Sequence, residues 1–124
     1  MEKLIITVAP TGSVPKKKDT PFVPVTPDEI AEAAYASEQE GASIVHVHCR
    51  DKNENPTSDY DLFRETVDKI RKRTKLIVMT STSGVAGHSD EERAQPLKMR
   101  PEMASLTTGS LNFSGRKPPD VYVN

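Results

Sequence analysis

Hydrophobic and polar positions alternate along the chain in blocks that predict four strands and three helices. Apolar, largely β-branched runs at residues 3–9, 44–49 and 76–80 are typical of strands, and a shorter run follows at 103–106. The first three runs are almost continuously apolar, which predicts strands buried on both faces. Helical patterns lie between them, so the order is β-α-β-α-β-α-β and predicts a parallel sheet covered by helices.

Capping signals predict where the helices begin. Thr26 and Glu29 form a capping box at the start of the first helix, and the second helix is predicted at residues 59–74. Another capping box, opened by Ser89, begins a short helix that Pro96 interrupts or closes. The three helices therefore separate the four strands in regular order.

Three loops follow the ends of the first three strands. The loop at residues 10–25 holds four prolines and the run Lys16-Lys17-Lys18, and a loop of this length is usually functional or mobile. Such a lysine run is typical of a solvated loop, with attraction of anionic phosphates as an alternative. The loop at 51–58 is polar, and the loop at 81–88 is rich in Gly and Ser.

Composition and charge narrow the possible partners and location. The chain has 124 residues, with 17 Lys and Arg against 18 Asp and Glu, and this near-balance argues against a nucleic-acid-binding surface. It has no apolar run of about 18 residues and no signal-peptide pattern, so we expect no membrane partner. The single Cys49 excludes an internal disulfide framework and predicts a reducing, cytoplasmic location. The length allows one domain or part of one.

A His-Val-His sequence at the end of the second strand is the strongest chemical signal. Residues two apart on a strand share a face, so His46, His48 and Arg50 should project together. The opposite face is apolar and consists of Val45, Val47 and Cys49. Two imidazoles on one face can share a zinc ion, and functional sites of α/β proteins form at this end of the strands. The alternative is a pair of hydrogen-bonded histidines in the core.

The sequence does not supply an obvious third metal ligand. His88 is the only other histidine, and Asp51 and Glu54 follow the second strand, where Arg50 can pair with a neighbouring acid. Cys49 points away from the histidines and is a poor candidate. Either the third ligand is carried beyond residue 124, or the metal hypothesis is wrong.

Hydroxyl-bearing residues follow the third and fourth strands at the same predicted rim. The segment at 80–84 is Thr-Ser-Thr-Ser-Gly, and Ser105 and Thr107 follow the fourth strand. Hydroxyls and backbone N–H groups there could hold a carboxylate, although each segment alone could be an ordinary polar loop. Two architectures fit, a flavodoxin-like open sheet and the first half of a (β/α)8 barrel. Because neither a Gly-x-Gly-x-x-Gly nor a P-loop pattern occurs, a nucleotide-binding open sheet loses its best support.

Five motifs, taken in order, resemble the β-keto acid cleavage enzymes. They are Thr-Gly at 11–12, Pro-Val-Thr-Pro-Asp-Glu-Ile-Ala at 24–31, Gly-Ala-Ser-Ile-Val-His-Val-His at 41–48, Ser-Thr-Ser-Gly at 81–84, and Arg-Pro-Glu-Met-Ala-Ser-Leu-Thr-Thr-Gly-Ser-Leu-Asn-Phe at 100–113. The resemblance covers nearly the whole chain. It implies a zinc-dependent (β/α)8 TIM barrel that condenses a β-keto acid with acetyl-CoA, giving acetoacetate and a new acyl-CoA.

The resemblance also implies roles for individual residues. His46 and His48 correspond to the two zinc histidines of the family. Four positions correspond to residues that contact the keto acid: Ser81, Gly84, Ser105 and Thr107. The family's third zinc ligand, a Glu, and its catalytic Arg and Asp lie late in the barrel and have no counterpart among these residues. The family further suggests a homo-oligomer, with a tetramer as the expected form.

Two departures from the family pattern change the expectation. Val14 stands where a family member that cleaves an aminated keto acid has a Glu for the amino group, which predicts a substrate without that positive charge. A whole barrel needs about 250 residues, so we expect residues 1–124 to be the N-terminal part of one barrel domain, inactive alone. The alternative function is a small non-catalytic α/β module with structural histidines and an anion-binding loop.

Overall fold

Four parallel strands form one sheet in a computed structural model that describes residues 3–83 and 88–106. In chain order the elements are β1 (Thr7–Val8), α1 (Pro27–Gln39), β2 (Ile44–Val47), β3 (Cys49–Arg50), β4 (Pro56–Thr57), α2 (Tyr60–Arg73), β5 (Ile77–Thr80), α3 (Asp90–Arg93), a 3₁₀ helix (Gln95–Met99) and β6 (Met103–Ala104). The sheet has the order β1-β2-β5-β6. A separate antiparallel pair is formed by β3 and β4.

The strand order distinguishes the two architectures left open by the sequence. A flavodoxin-like sheet places its first strand between the second and third, whereas here β2 lies between β1 and β5. Helices α1 and α2 pack against each other and against the same face of the sheet. Sequential parallel strands with helices on one face are the arrangement found in the first half of a (β/α)8 barrel.

The core lies between this sheet and the two long helices. Its buried members are Ile30, Ala31, Ala34, Val45, Val47, Cys49, Phe63, Val67, Ile70, Leu76 and Val78. The alternation in β2 is as predicted, since Val45 and Val47 are buried while Ile44 and His46 on the other face are only half-buried. Burial of the apolar face fixes the register of β2 and thereby directs its histidines to the opposite face.

The helix boundaries follow the predicted caps closely. Thr26 and Glu29 form the predicted capping box at the start of α1, and Ser89 and Glu92 form the second one at the start of α3. After Ala94 the chain continues as a 3₁₀ helix through Pro96, which thus interrupts the α-helical hydrogen bonding. Within the described part of the chain, no helix combines the length and the apolar character that crossing a bilayer requires.

The first strand is less buried than predicted. Only Thr7 and Val8 are paired as strand, and Leu4 and Ile5 are largely exposed among the described residues. Here β1 pairs only with β2. In a whole (β/α)8 barrel the first strand also pairs with the last, so the open side of β1 is the side at which such a barrel closes.

The sequence predicts a polar loop at residues 51–58. In the structure, this segment instead contains one strand of an antiparallel hairpin. The ladder of β2 ends before His48, and Cys49 pairs with Thr57 across a tight turn. Asp51 organises that turn, because its Oδ1 accepts hydrogen bonds from the backbone N–H groups of Asn53 and Asn55, each at 2.8 Å. The hairpin of β3 and β4 therefore forms the second of the three loops predicted to follow the strands.

The carboxyl group of Glu29, in the first turn of α1, should make the free energy of unfolding depend on pH. A hydrogen bond from Lys17, together with the N–H groups of Thr26 and Val25, lowers the pKa of Glu29 to about 2. A lowered carboxyl pKa adds stability above about pH 4.5 that is lost as the pH falls toward 2. We expect Glu29→Gln to lower the free energy of unfolding at pH 7 by about 1 kcal/mol, allowing for the partial exposure of both side chains.

Urea denaturation at pH 7 and pH 3 measures this effect. The difference between wild type and Glu29→Gln should shrink at pH 3, and Glu40→Gln at the exposed far end of α1 is the control. A difference of equal size at both pH values would contradict the assignment.

Candidate metal and substrate site

His46 lies in β2, and His48 is the first residue after it. The two side chains meet on the face of the sheet that the helices leave uncovered. Their ring centroids are 4.7 Å apart and the rings are nearly perpendicular, at 73°. The flanking Val45 and Val47 are fully buried on the opposite face, which holds the backbone in register. The predicted pairing of imidazoles on one face is therefore present.

Both imidazoles are biased toward the neutral form. Burial lowers the pKa of His46, and burial with the nearby charges of His46 and Arg50 lowers the pKa of His48 to about 4. A neutral imidazole has a free lone pair, which is the form that ligates a metal. The Nδ1 atom of His46 is buried and has no hydrogen-bond partner among the described residues, and the same is true of Nδ1 of His88. An unpartnered buried nitrogen costs about 1–3 kcal/mol, and a bound ion would relieve that cost.

These two side chains fit two positions of a zinc site, but they do not complete it. Among residues 3–83 and 88–106, no three His, Cys, Asp or Glu side chains lie close enough together to hold a metal ion. His88 is thus not grouped with the histidine pair. Cys49 faces the helices, where its Sγ contacts Thr66 Oγ1 at 3.4 Å and burial raises its pKa to about 12. A third ligand would have to come from outside the described residues.

The serine loop after β5 and the end of β6 meet at the same rim. The backbone N–H of Thr82 donates to Ser105 Oγ at 3.0 Å, and Thr82 Oγ1 donates to the carbonyl of Ser105 at 2.7 Å. Ser81 and Ser83 form a hydroxyl pair with an Oγ–Oγ distance of 2.9 Å. These contacts place Ser81 and Ser105 on neighbouring strand ends.

The histidine strand and the serine loop are also joined. Ser81 donates its backbone N–H to the carbonyl of Val47 at 3.0 Å, directly before His48. His48, Ser81 and Ser83 line a cavity of about 10 Å³, about the volume needed to hold one water molecule, together with Phe63, Cys49 and residues 56–58. The imidazole of His48 and the serine hydroxyls therefore lie beside one another.

The remaining predicted site residues either lie outside the described structure or belong to the first loop. Gly84 and Thr107 lie outside the described residues. Val14 is described, and its side chain is exposed in the first loop. Lys16 donates to Asn55 Oδ1 and Lys17 pairs with Glu29, so these lysines bind within the protein and do not form a free basic run.

Two buried arginines organise the loops around the site, and the sequence pattern gave little sign of them. Arg50 donates to backbone carbonyls of the first and second loops. Arg93 donates to the carbonyls of Ser83 and His88, at the two ends of the loop that follows β5. The one available signal is the position of Arg50 two residues after His48, which predicts that it projects beside the histidines.

Comparisons with known proteins identify the group of proteins that shares this arrangement. The sequence model of the β-keto acid cleavage enzymes matches residues 3–124. The chain is 42% identical over 125 positions to a 3-keto-5-aminohexanoate cleavage enzyme of Fusobacterium nucleatum, covering 100% of the chain and 45% of that protein. It is 45% identical over 121 positions to a 3-oxoadipate:acetyl-CoA acetyltransferase of Cupriavidus necator, covering 94% of the chain and 42% of that protein.

A solved structure supports the same conclusion about the fold. A ternary complex of ObcA with a C4-CoA adduct and oxalate superposes with a TM-score of 0.65 and 27% identity, over 72% of this chain and 24% of that one. The predicted fold, the N-terminal half of a (β/α)8 barrel, is confirmed. The chain spans about half the length of the curated relatives it matches. It belongs to the β-keto acid cleavage enzyme family.

Proposed function

We propose that this chain supplies the metal-binding and keto-acid-binding part of a zinc-dependent enzyme that condenses a β-keto acid with acetyl-CoA. The observation that carries the proposal is the contact between the His46 and His48 rings, 4.7 Å apart, together with the cavity that His48 shares with Ser81 and Ser83 of the serine loop. Membership of the family supports the reaction class, because a relative of this chain is named as an acetyl-CoA acetyltransferase.

His46 and His48 would hold the metal, and the hydroxyl residues would orient the substrate. When bound, zinc would supply Lewis-acid polarisation of the keto acid's oxygens. The Ser105 hydroxyl accepts a hydrogen bond from the Thr82 N–H and lies 3.4 Å from Thr82 Oγ1, so its proton would turn from that oxygen to donate to a bound carboxylate. Together with Ser81, and with Gly84 and Thr107 as further proposed contacts, it would fix the carboxylate in one orientation.

The reaction exchanges one carbon–carbon bond for another. C2 of the keto acid loses a proton and attacks the acetyl carbonyl carbon, and the acetyl C–S bond breaks to release CoA thiolate. The thiolate then adds to C3, the bond between C2 and C3 breaks, and C2 takes the proton back. The products are acetoacetate and the acyl-CoA of the remaining chain. We assign the third zinc ligand and the acid–base residues to parts of the enzyme outside residues 1–124, and we keep cytoplasmic location and a homo-oligomer as predictions.

Val14 leads us to propose a substrate without a positive charge at its distal end. Its exposed side chain stands in the first loop, where a carboxylate would favour an amino group. We expect the full-length protein to form acetoacetate from acetyl-CoA and uncharged β-keto acids more efficiently than from 3-keto-5-aminohexanoate. Val14→Glu should shift this preference about tenfold toward the aminated acid, the effect of about 1.4 kcal/mol from one new charge pair.

Val14→Gln is the matched control, because it has nearly the same size as Glu without the charge. The ratio of kcat/KM values for the two acids measures the preference. A wild type that prefers the aminated acid would refute the substrate proposal, and a protein that forms no acetoacetate from any of the β-keto acids would refute the reaction itself.

A further inference from the structure

Arg50 is a buried charged residue that the proposed function has not yet used. Its side chain is 3% exposed and forms no ion pair with a carboxylate in the described part of the chain. Its Nη2 donates to the carbonyls of Gly12 at 2.9 Å and Pro15 at 3.1 Å, and its Nη1 donates to the carbonyl of Glu54 at 3.0 Å. One guanidinium group therefore links the first loop to the second, two residues after His48.

The two carbonyls held by Nη2 lie on either side of Ser13 and Val14. Gly12 has a φ of +63°, a left-handed conformation that allows the chain to turn sharply at this point. Farther along the first loop, the backbone N–H of Lys17 donates to Glu54 Oε2 at 2.8 Å, so a second contact joins the same two loops. The turn at residues 12–15 is thus fixed relative to the end of the histidine strand.

Stability alone gives little reason for an arginine here. The charge of Glu54 favours the charged guanidinium group, but the two side chains form no ion pair, and apolar replacements of buried charges are often neutral or stabilising. The Nε of Arg50 is also buried without a partner among the described residues, which adds a cost. What a planar group with several donors provides is the ability to bind separate carbonyls at fixed positions.

We propose that Arg50 is a positioning residue for substrate selection, which holds the turn at residues 12–15 so that the side chain at position 14 meets the distal group of the keto acid. The inference rests on the proposed function for the identity of the substrate. Arg50 acts through the loop and does not touch the reacting atoms. It therefore governs which keto acid is accepted and leaves acetyl-CoA binding and metal content unchanged.

The test compares Arg50→Lys and Arg50→Met with wild type in the full-length protein. Lysine keeps the charge but cannot bind all three carbonyls in the same planar arrangement. Both variants should raise KM for the preferred keto acid about tenfold and bring the kcat/KM ratio between uncharged and aminated acids close to one. KM for acetyl-CoA, zinc content and kcat should stay within about threefold. Hydrogen exchange of the Lys16 and Lys17 amides, which donate to Asp19 and Glu54, should become at least tenfold faster.

Arg64→Met is the matched control, because Arg64 is an exposed arginine on α2 and should change none of these values. Unchanged selectivity in both Arg50 variants, or a loss confined to kcat, would overturn the proposal. If Arg50→Met does not fold, Arg50→Lys alone decides. If wild type forms no acetoacetate, the proposed function fails, whereas the exchange rates still decide whether Arg50 holds the turn.

Discussion

Replacing His48 by alanine is expected to remove bound zinc from the full-length protein and to lower acetoacetate formation by about a thousandfold. The Lewis-acid contribution of a metal to such a reaction is several kcal/mol, and each 1.36 kcal/mol is a factor of ten in rate. His46→Ala should have the same effect, because the two rings lie 4.7 Å apart and would share one ion. Metal analysis before and after a chelator, together with an acetoacetate assay, measures both losses.

His88→Ala is the matched control for the histidine variants. His88 is not grouped with the pair in the described structure, so this variant should keep its zinc. A wild-type protein that is free of metal, and as stable as His46→Ala and His48→Ala, would contradict the enzyme proposal. It would favour the alternative of a non-catalytic module with structural histidines.

Removal of the Phe63 ring should cause the largest loss of stability. Phe63 lies on α2 in the centre of the core and is 2% exposed, so alanine would leave a cavity between the helices and the sheet. We expect Phe63→Ala to lower the free energy of unfolding by about 3–5 kcal/mol. Urea denaturation followed by circular dichroism measures the change.

Phe22→Ala serves as the control, because the same ring is removed from a side chain that is 91% exposed. Its effect should stay within about 0.5 kcal/mol. Should Phe63→Ala fail to fold, Phe63→Leu provides a smaller and measurable loss. Equal effects of Phe63→Leu and Phe22→Ala would show that α2 does not pack as described.

The helices could be predicted because their signals are local. Thr26 and Glu29 lie three residues apart and form a capping box whatever the rest of the chain does, and the same is true of Ser89 and Glu92. The strands depend on partners distant in sequence. The apolar run at residues 3–9 predicted a buried strand, but only Thr7 and Val8 of this run are paired, with β2, among the described residues.

Part of the candidate site could also be predicted, because one of its signals is local in the sequence. The period of two in β2 directs His46 to one face, so the histidine pair follows from the sequence. The contact between Thr82 and Ser105 joins residues 23 positions apart and could be expected only from the fold class. The hydrogen bonds of Arg50 to the first loop span more than thirty positions and have no local pattern to announce them.

The strand order has a consequence for how the protein is made. Each strand of the sheet pairs with the strand synthesised just before it in the parallel series, from β1 through β2 and β5 to β6. A nascent chain emerging from the ribosome therefore finds the partner for each of these three pairings already translated. In a whole (β/α)8 barrel, the pairing that closes the barrel joins the first strand to the last and can form only after the last strand has been translated.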